Sequence, residues 1–301
     1  MQKIKVLVAG GSGQVARALV DTAPAAFAEV VSLGRPQLDL TDPASVSAAI
    51  ASVSPDLVIN AAAYTAVDQA ESEEGAAHAL NADGAATLAE AAAKTGAPIL
   101  HLSTDYVFAG DKAAPYVETD PVGPNGAYGR SKLAGEQAVA AANPHHLILR
   151  TAWVYSPFGK NFVKTMLRFA ETRDEMNVVH DQRGNPTSAH DIAAALWQIG
   201  QRITAQPDVL AAGVYHMTAS GEASWAEFAE EIFRVSAETG GPSARVNRIT
   251  TAEYPTPARR PPNSRLDSGK LARETGIILP HWQASTRACV EALVRSKGYA
   301  A

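Results

Sequence analysis

The feature that most constrains this chain is a set of five short apolar runs in its first half, separated by Ala-rich segments with helical spacing. Strands that are apolar on every residue must be covered on both faces, which is typical of parallel sheets flanked by helices. The alternation therefore predicts an α/β fold with a doubly wound parallel sheet. The predicted strands are residues 4–9, 29–33, 56–59, 98–102 and 145–149.

The second half of the chain breaks this rhythm. We expect residues 1–150 to form the sheet domain and residues 151–301 to form mainly a smaller, interleaved lobe. Some segments, at about 180–215, are expected to return to the first domain. The predicted elements of this half are amphipathic helices at 161–171 and 224–237, a strand at 213–217, and an extended Pro-rich loop at 259–263.

Charge and composition exclude several classes of protein. The formal net charge of −5 argues against nucleic acid as a partner, because phosphate neutralisation needs a basic face. No apolar run approaches the roughly 18 residues that a membrane span needs, and the N-terminus resembles a strand more than a signal sequence. Cys289 is the only cysteine, so no internal disulfide can form. A cytoplasmic enzyme is therefore expected.

A glycine-rich loop follows the first predicted strand. Gly10, Gly13 and Ala16 are spaced three apart, and a helix is expected to begin near Gly13. The free N–H groups and dipole of a helix N-terminus attract an anion, and small residues let the backbone approach it. Unless the loop is only a tight turn, it predicts a dinucleotide site at Gly10, Gly13, Gln14 and Val15, in what is then the dinucleotide-binding domain.

The end of the second predicted strand bears on the choice of cofactor. An acid at this place usually binds the ribose hydroxyls of NAD, whereas a basic residue tolerates an added phosphate. Residues 32–35 read Ser-Leu-Gly-Arg and contain no acid. Arg35 is therefore expected to pair with a 2′-phosphate, unless it is a solvated surface arginine. The sequence favours NADPH, with NADH accepted.

Two further segments are expected at the cofactor. Asp39 either accepts a hydrogen bond from the adenine amino group beside Leu40, or caps the turn that follows. After the third predicted strand, three successive alanines leave room for a ligand that lies across the edge of the sheet. The predicted contacts there are Ala62, Ala63 and Tyr64.

Tyr128 and Lys132 stand four apart in a helical segment, which places both side chains on one face. A tyrosine titrates near 10, and a nearby ammonium lowers that pKa and makes the hydroxyl a usable general acid. Such pairs also occur by chance on surface helices. Thr104, which follows the fourth predicted strand, should lie close to this helix and hydrogen-bond the substrate carbonyl that is reduced. Asp105 and Tyr106 should border the same pocket, unless they only complete a strand-end turn.

Four motifs together resemble the extended short-chain dehydrogenase/reductase family. They are Gly-x-x-Gly-x-x-Ala at 10–16, Asn-Ala-Ala-Ala at 60–63, Ser-Thr-Asp-Tyr-Val-Phe at 103–108 and Tyr-x-x-x-Lys at 128–132. Within the family, the chain resembles the reductases of one nucleotide sugar, dTDP-4-dehydro-L-rhamnose. The segments that support this are 65–68, 150–155, 161–163, 181–187 and 260–266. The resemblance covers essentially the whole chain.

The resemblance implies a Rossmann-like fold and a reaction, the NAD(P)H-dependent reduction of the 4-keto group of dTDP-4-dehydro-L-rhamnose to dTDP-L-rhamnose. It implies Tyr128 as proton donor, Lys132 as its electrostatic partner and Thr104 as the third member. Trp153 is expected to pack against the sugar, with a core tryptophan as the alternative. The other expected substrate contacts are Thr65, Asp105, Tyr106, Asn161 and Arg260.

The chain departs from the family at two positions. Tyr64 stands where many members have a histidine, and its hydroxyl can still donate a hydrogen bond. Ala18 aligns with a glutamate that helps some members dimerise around magnesium, so we expect no metal, and a monomer or weak homodimer. Two other functions stay open: an epimerase or dehydratase of another nucleotide sugar that recycles tightly held NAD, and a non-catalytic, reductase-like regulatory subunit of methionine adenosyltransferase.

Overall fold

The structure, a computed structural model, describes residues 3–206 and 209–299, and its centre is a six-stranded sheet. The strand order β10-β5-β4-β3-β1-β2, with every neighbouring pair parallel, confirms the predicted doubly wound parallel sheet. The order reverses between β1 and β3, where open α/β sheets form a crevice. The strands are β1 (Ile4–Ala9), β2 (Ala28–Leu33), β3 (Leu57–Asn60), β4 (Ile99–Thr104), β5 (His146–Thr151) and β10 (Gly213–His216).

The sheet strands are largely apolar because helices cover both faces of the sheet. Along β1, Val6 and Val8 point into a core shared with α1 and α8, while Leu7 and Ala9 point into a second core shared with α2 and α5. The helices of this part of the chain are α1 (Gln14–Asp21), α2 (Pro43–Val53), α3 (Val67–Ala70), α4 (Glu74–His78), α5 (Gly84–Lys94), α6 (Ala127–Ala142) and α8 (Ala189–Ala205). A π-helical turn (Ala79–Asp83) joins α4 to α5, and a 3-10 turn (Asp105–Val107) follows β4.

A third core lies among three helices of the second half of the chain. These helices are α7 (Phe162–Ala170), α9 (Trp225–Glu238) and α11 (Trp282–Ser296), of which α7 and α9 confirm the two predicted amphipathic helices. A shorter helix, α10 (Gly269–Thr275), and a 3-10 turn (Thr251–Glu253) complete this half. The loop at 259–263 contains neither helix nor strand, as predicted.

Short strands pair two by two around this third core. The pairs are β6 (Val154–Tyr155) with β9 (Thr187–Ser188), β7 (Glu175–Val179) with β13 (Arg245–Ile249), β8 (Arg183–Gly184) with β12 (Ala223–Ser224), and β11 (Ala219–Ser220) with β14 (Leu279–His281). The predicted strand at 213–217 is β10, which joins the large sheet beside β5. Among the residues described, no helix has the length and apolar character needed to cross a membrane.

A buried ion pair fastens α6 to the sheet. Arg150, in β5, donates from Nε to Oε1 of Glu136 at 2.8 Å and from Nη2 to Oε2 at 2.6 Å. Both side chains are only 4% exposed. Ser103 of β4 donates to the same Oε1 at 2.5 Å, so the carboxylate of one helix binds two adjacent strands. Two parallel N–H···O bonds fix orientation as well as distance.

We expect Glu136→Gln to lower the free energy of unfolding by about 3–5 kcal/mol, because the substitution leaves the Arg150 charge buried without a counter-charge. Urea denaturation of the variant and the wild type measures this difference. Glu230→Gln is the matched control, because Glu230 pairs with Arg248 on the exposed surface, where a pair contributes at most about 1 kcal/mol. Equal losses in the two variants would show that the buried pair has no special role.

Candidate active site

A cleft of ≈ 530 Å³ opens at the carboxyl ends of the sheet strands. The glycine-rich loop, the ends of β2 and β3, the start of α6 and the loop after β6 all contribute to its walls. The structure thus brings together most of the residues that the sequence singles out for the cofactor. Those that line the cleft are Gly10, Gly13, Gln14, Val15, Arg35, Asp39, Leu40, Ala62, Ala63, Tyr128 and Lys132. Thr65, which is expected to contact the substrate, also lines it.

The glycine-rich loop has the shape that a dinucleotide requires. Gly10 has a φ of 102°, and a Cβ there would come within 2.8 Å of the Ala62 backbone. Only glycine fits this position, where the end of β1 and the residues after β3 nearly touch. Gly13 precedes α1 without a capping side chain, so the first amides of the helix stay free for an anion. These residues fit the pyrophosphate of a nicotinamide dinucleotide.

Two residues near the end of β2 face the same cleft. Arg35 is exposed at the cleft wall, so its guanidinium is accessible to a phosphate group of a bound cofactor. Asp39 accepts from the backbone N–H of Thr41 at 2.9 Å and from its hydroxyl at 2.7 Å. These two bonds, and to a smaller extent the charge of Arg35, lower the pKa of Asp39. The carboxylate therefore completes a local turn, as in the capping alternative, and lines the cleft as well.

Tyr128 stands at the first turn of α6, close to the end of β4. The helix approaches this strand end closely because Gly129 has no side chain, since a Cβ there would lie 2.3 Å from the carbonyl oxygen of Tyr106. Burial of the Tyr128 hydroxyl raises its pKa, while a hydrogen bond with the Thr104 side chain acts in the opposite direction. The phenol is consequently protonated over the whole neutral range and is a proton donor more than an acceptor.

Lys132 lies one turn further along α6 and is 2% exposed. Its Nζ donates to the carbonyl oxygen of Leu102 at 2.7 Å and lies 3.4 Å from Nε2 of His101. Burial lowers the pKa of Lys132 to about 8, and the charge of Glu136 opposes this shift. The expectation that Lys132 lowers the pKa of Tyr128 is not met here, because burial dominates at Tyr128 and the ammonium is directed at Leu102.

The predicted residues after β4 adjoin Tyr128 but do not line the cleft. Thr104 donates its hydroxyl proton to Oδ1 of Asp105 at 2.9 Å and accepts from the backbone N–H of Tyr106 at 3.2 Å. Burial raises the pKa of Asp105 to about 6, partly offset by the hydroxyls of Ser264 and Thr104. Burial also raises the pKa of Tyr106 to about 12, with Arg260 opposing it. The Tyr106 and Tyr128 rings meet edge to face at 5.6 Å.

Two predicted contact residues have other partners. The Tyr64 hydroxyl donates to Glu73 at 2.7 Å, away from the cleft lining. Asn161 caps α7 by accepting from the N–H of Lys164. Its amide nitrogen lies 2.8 Å from Oε1 of Gln14 and also donates to backbone carbonyls of the preceding loop. Asn161 therefore joins that loop to the glycine-rich segment and has no polar atom directed into the cleft.

The two predicted substrate anchors of the second half lie outside the cleft lining. Trp153 is half-buried, and its ring stacks on Trp225 with centroids 3.5 Å apart and planes within 6°. One indole face is thus already covered. Arg260 donates from Nη2 to Asp68 at 2.7 Å. Within the described part of the chain its Nη1 is buried and has no partner in hydrogen-bond geometry, while the guanidinium also acts on the Tyr106 hydroxyl.

Several further residues line the cleft that the sequence does not predict as cofactor or substrate contacts. Lys160 is the one with a charge, and it ends a loop that begins at Ser156. Gln14 holds this loop in place, because its Oε1 accepts from the Ser156 hydroxyl at 2.8 Å. Only the three-dimensional contact of this loop with the first turn of α1 places an ammonium beside the glycine-rich segment. The remaining additional lining residues include Ser12, Gly34, Leu80, Leu102, Ser103, Thr151, Val154 and Gly159.

Glu71, Glu73 and Glu74 stand close together in the sequence, but their side chains have separate partners. In the structure Glu71 accepts from the backbone N–H of Ala127, and Glu74 pairs with Arg130. Residues 3–206 and 209–299 contain no group of three histidine, cysteine, aspartate or glutamate side chains that could hold a metal ion.

Comparison with known proteins places the chain in one family. Residues 4–295 match the family described as RmlD substrate binding domain. A dTDP-4-dehydrorhamnose reductase of Sinorhizobium fredii is 53% identical over 291 residues, covering 97% of this chain and 98% of that protein.

Two solved structures named dTDP-4-dehydrorhamnose reductase match the fold, each covering 96% of this chain and 99% of the other. The one from Clostridium acetobutylicum has a TM-score of 0.89 at 39% identity. The one from Bacillus anthracis, in complex with NADP, has a TM-score of 0.89 at 33% identity. Since the match runs from end to end in sequence and in structure, the chain belongs to the RmlD substrate binding domain family, that of the dTDP-4-dehydrorhamnose reductases.

Proposed function

We propose that this chain reduces the 4-keto group of dTDP-4-dehydro-L-rhamnose to dTDP-L-rhamnose, with NADPH as reductant and NADH accepted. The observation that carries the proposal is that one cleft is lined at once by the glycine-rich loop and by Tyr128 and Lys132. The names of the relatives agree with this activity, and the Bacillus anthracis relative is in complex with NADP.

The nicotinamide, when bound, supplies a hydride to the carbonyl carbon, and the protein must supply a proton to the carbonyl oxygen. Tyr128 is the donor, because it lines the cleft and its hydroxyl is protonated at neutral pH, so it can release the proton to the alkoxide that develops on the carbonyl oxygen. Lys132, buried at the cleft wall one turn along α6 from Tyr128, places a cation beside the cofactor. Thr104 orients the Tyr128 hydroxyl, while its own proton is held by Asp105.

We further propose that residues 1–150 bind the dinucleotide and that residues 151–301 form mainly the substrate lobe. The segment at about 180–215 belongs in this scheme to the first domain, which is supported by the packing of α8 on α1. We also propose a cytoplasmic enzyme, a monomer or weak homodimer, that has no nucleic acid partner. Trp153 and Arg260 are assigned to the sugar and to the diphosphate of the substrate.

Tyr128→Phe should bind NADPH as the wild type does and lose about 10² to 10⁴-fold in kcat, because it removes only the acidic hydroxyl. Oxidation of NADPH in the presence of the 4-keto sugar nucleotide measures turnover, and cofactor fluorescence measures binding. Tyr254→Phe is the control, since Tyr254 is exposed away from the cleft. A Tyr128→Phe enzyme with near wild-type kcat would remove Tyr128 from the donor role.

Arg35 and Lys160 are both exposed cations of the cleft wall, and they should respond differently to the cofactor. Arg35→Ala should weaken NADPH about tenfold and leave NADH nearly unchanged, because only NADPH has a 2′-phosphate. Lys160→Ala should weaken both cofactors by a similar factor, because the pyrophosphate near α1 is common to them. Titration of each variant with each cofactor decides the matter. If both variants weaken NADPH and NADH in the same ratio, Arg35 does not bind the 2′-phosphate while Lys160 binds the pyrophosphate.

Arg260→Ala should weaken free dTDP and the full substrate alike, because a diphosphate is present in both. Trp153→Ala should spare free dTDP and weaken only ligands that carry the sugar. Calorimetric titration of both variants with both ligands tests the pair. If Arg260→Ala binds dTDP normally, the loop at 259–263 is not a phosphate clamp. If Trp153→Ala weakens both ligands together with a loss of thermal stability, the tryptophan is core packing.

A further inference from the structure

The backbone of Trp153 adopts a conformation that a bulky residue rarely takes. Its φ is 46°, in the left-handed region that large side chains seldom adopt. Such a conformation persists only where the surrounding structure holds it, and it is found preferentially at functional sites. The question is therefore which residues hold the Trp153 ring and backbone in place.

The ring is held by Trp225, the first residue of α9. The two indoles lie face to face, with centroids 3.5 Å apart and an angle of 6° between the planes. Phe162 packs against the Trp225 ring with its centroid at 4.7 Å, which supports this ring within the third core. Trp153 thus rests on an aromatic wall that is continuous with the core of the second half of the chain.

The segment 181–187, which carries part of the family resemblance, is built around this stack. Gln182 accepts from Nε1 of Trp225 at 3.2 Å and donates to the Thr251 hydroxyl at 3.0 Å. A Cβ on Gly184 would come within 2.4 Å of the Trp153 ring, so glycine leaves the space that the indole occupies. The backbone N–H of Thr187 donates to the Trp153 carbonyl at 3.2 Å.

We propose that Trp225 is a positioning residue for recognition of the sugar, acting through Trp153. This inference rests on the proposed function, in which Trp153 contacts the sugar. With one face covered by Trp225 and with Gly184 close to the nitrogen-bearing side of the indole, Trp153 keeps only part of its ring for a ligand, and that part is held in a fixed direction. A ring that is already immobile loses little conformational freedom when the sugar binds, so the interaction is stronger for the same contact area.

The competing explanation is that the stack only stabilises the lobe. The experiment compares Trp225→Ala, Trp225→Phe, Trp153→Ala and the double alanine variant, with Trp197→Phe as the control. Trp197 is a buried tryptophan of α8, in the core on one face of the large sheet. The readouts are kcat, KM for the 4-keto sugar nucleotide, Kd for free dTDP and the far-ultraviolet circular dichroism. Stacked indoles give an exciton couplet there when their in-plane transition moments are skewed, and this couplet reports the stack.

Trp225→Ala is expected to raise KM roughly 3- to 10-fold, the scale of one aromatic pair, with little change in kcat or in Kd for dTDP. Trp225→Phe should restore KM to within about twofold, because a phenyl ring can still cover the indole face. The double variant should be no worse than Trp153→Ala, since Trp225 acts through Trp153. The couplet should be lost in every variant of Trp153 or Trp225 and retained in Trp197→Phe.

The inference is overturned if Trp225→Ala loses the couplet and keeps its KM, or if it raises KM further in the Trp153→Ala background. It is also overturned if dTDP and the sugar nucleotide weaken equally. Should Trp225→Ala fail to fold, Gln182→Met tests the same point, because it keeps both indoles and removes the hydrogen bond that orients Trp225. If Gln182→Met changes the couplet but leaves KM for the sugar nucleotide unchanged, the positioning role of Trp225 is rejected.

Failure of the proposed function gives a different result. A wild-type enzyme that does not oxidise NADPH with the 4-keto sugar nucleotide rejects the proposed activity, and this inference with it. An active wild type with an unaffected Trp225→Ala variant rejects the positioning role alone.

Discussion

The bidentate bond between Arg150 and Glu136 joins β5, the strand beside the edge strand β10, to the helix that carries Tyr128 and Lys132. Two buried charges are tolerated here because each oxygen of the carboxylate has a donor, with Ser103 as a third. The helix also lies unusually close to its neighbours, since a Cβ on Gly135 would come within 2.1 Å of the Asn81 carbonyl oxygen. The position of Tyr128 over the end of β4 follows from these contacts, and the cleft exists because α6 is held at that distance.

Burial and charge act in opposite directions on the residues of this cleft, and burial prevails. The motif Tyr-x-x-x-Lys suggests a phenol made acidic by an ammonium one turn away. In the structure the ammonium donates to the Leu102 carbonyl, and desolvation raises the pKa of Tyr128 while it lowers that of Lys132. A protonated phenol suits a reductase, since the carbonyl oxygen must receive a proton as the hydride arrives at the carbonyl carbon. Sequence spacing places the two groups on one face, but it contains no information about how deeply each is buried.

The large sheet could be predicted because its strands are apolar on both faces, a property that each strand carries in its own residues. The glycine-rich loop and the Tyr128 helix could be predicted for the same reason, since their signals lie within seven residues or fewer. Contacts between distant segments could not. Trp153 stacks on Trp225, which is 72 positions away along the chain. The shorter-range bond from Tyr64 to Glu73 depends on how the chain turns between these two residues, which the sequence pattern does not specify. The strand at Gly213–His216 is similar: its sequence predicts a strand, but only packing against β5 assigns it to the large sheet.

Gln14 shows why the cofactor and substrate parts of the site cannot be independent. It is the first residue of α1, beside the free amides that suit a pyrophosphate, and it also receives hydrogen bonds from Ser156 and Asn161. Its own amide nitrogen lies 3.4 Å from the carbonyl oxygen of Val154, the residue after Trp153. A single side chain thus connects the anion-binding end of the cleft to the backbone that carries the indole. Any shift of α1 on cofactor binding would be transmitted through these bonds to the segment 153–161. The backbone around Trp153 is therefore bonded on one side to the first turn of α1 and on the other to Thr187 of β9.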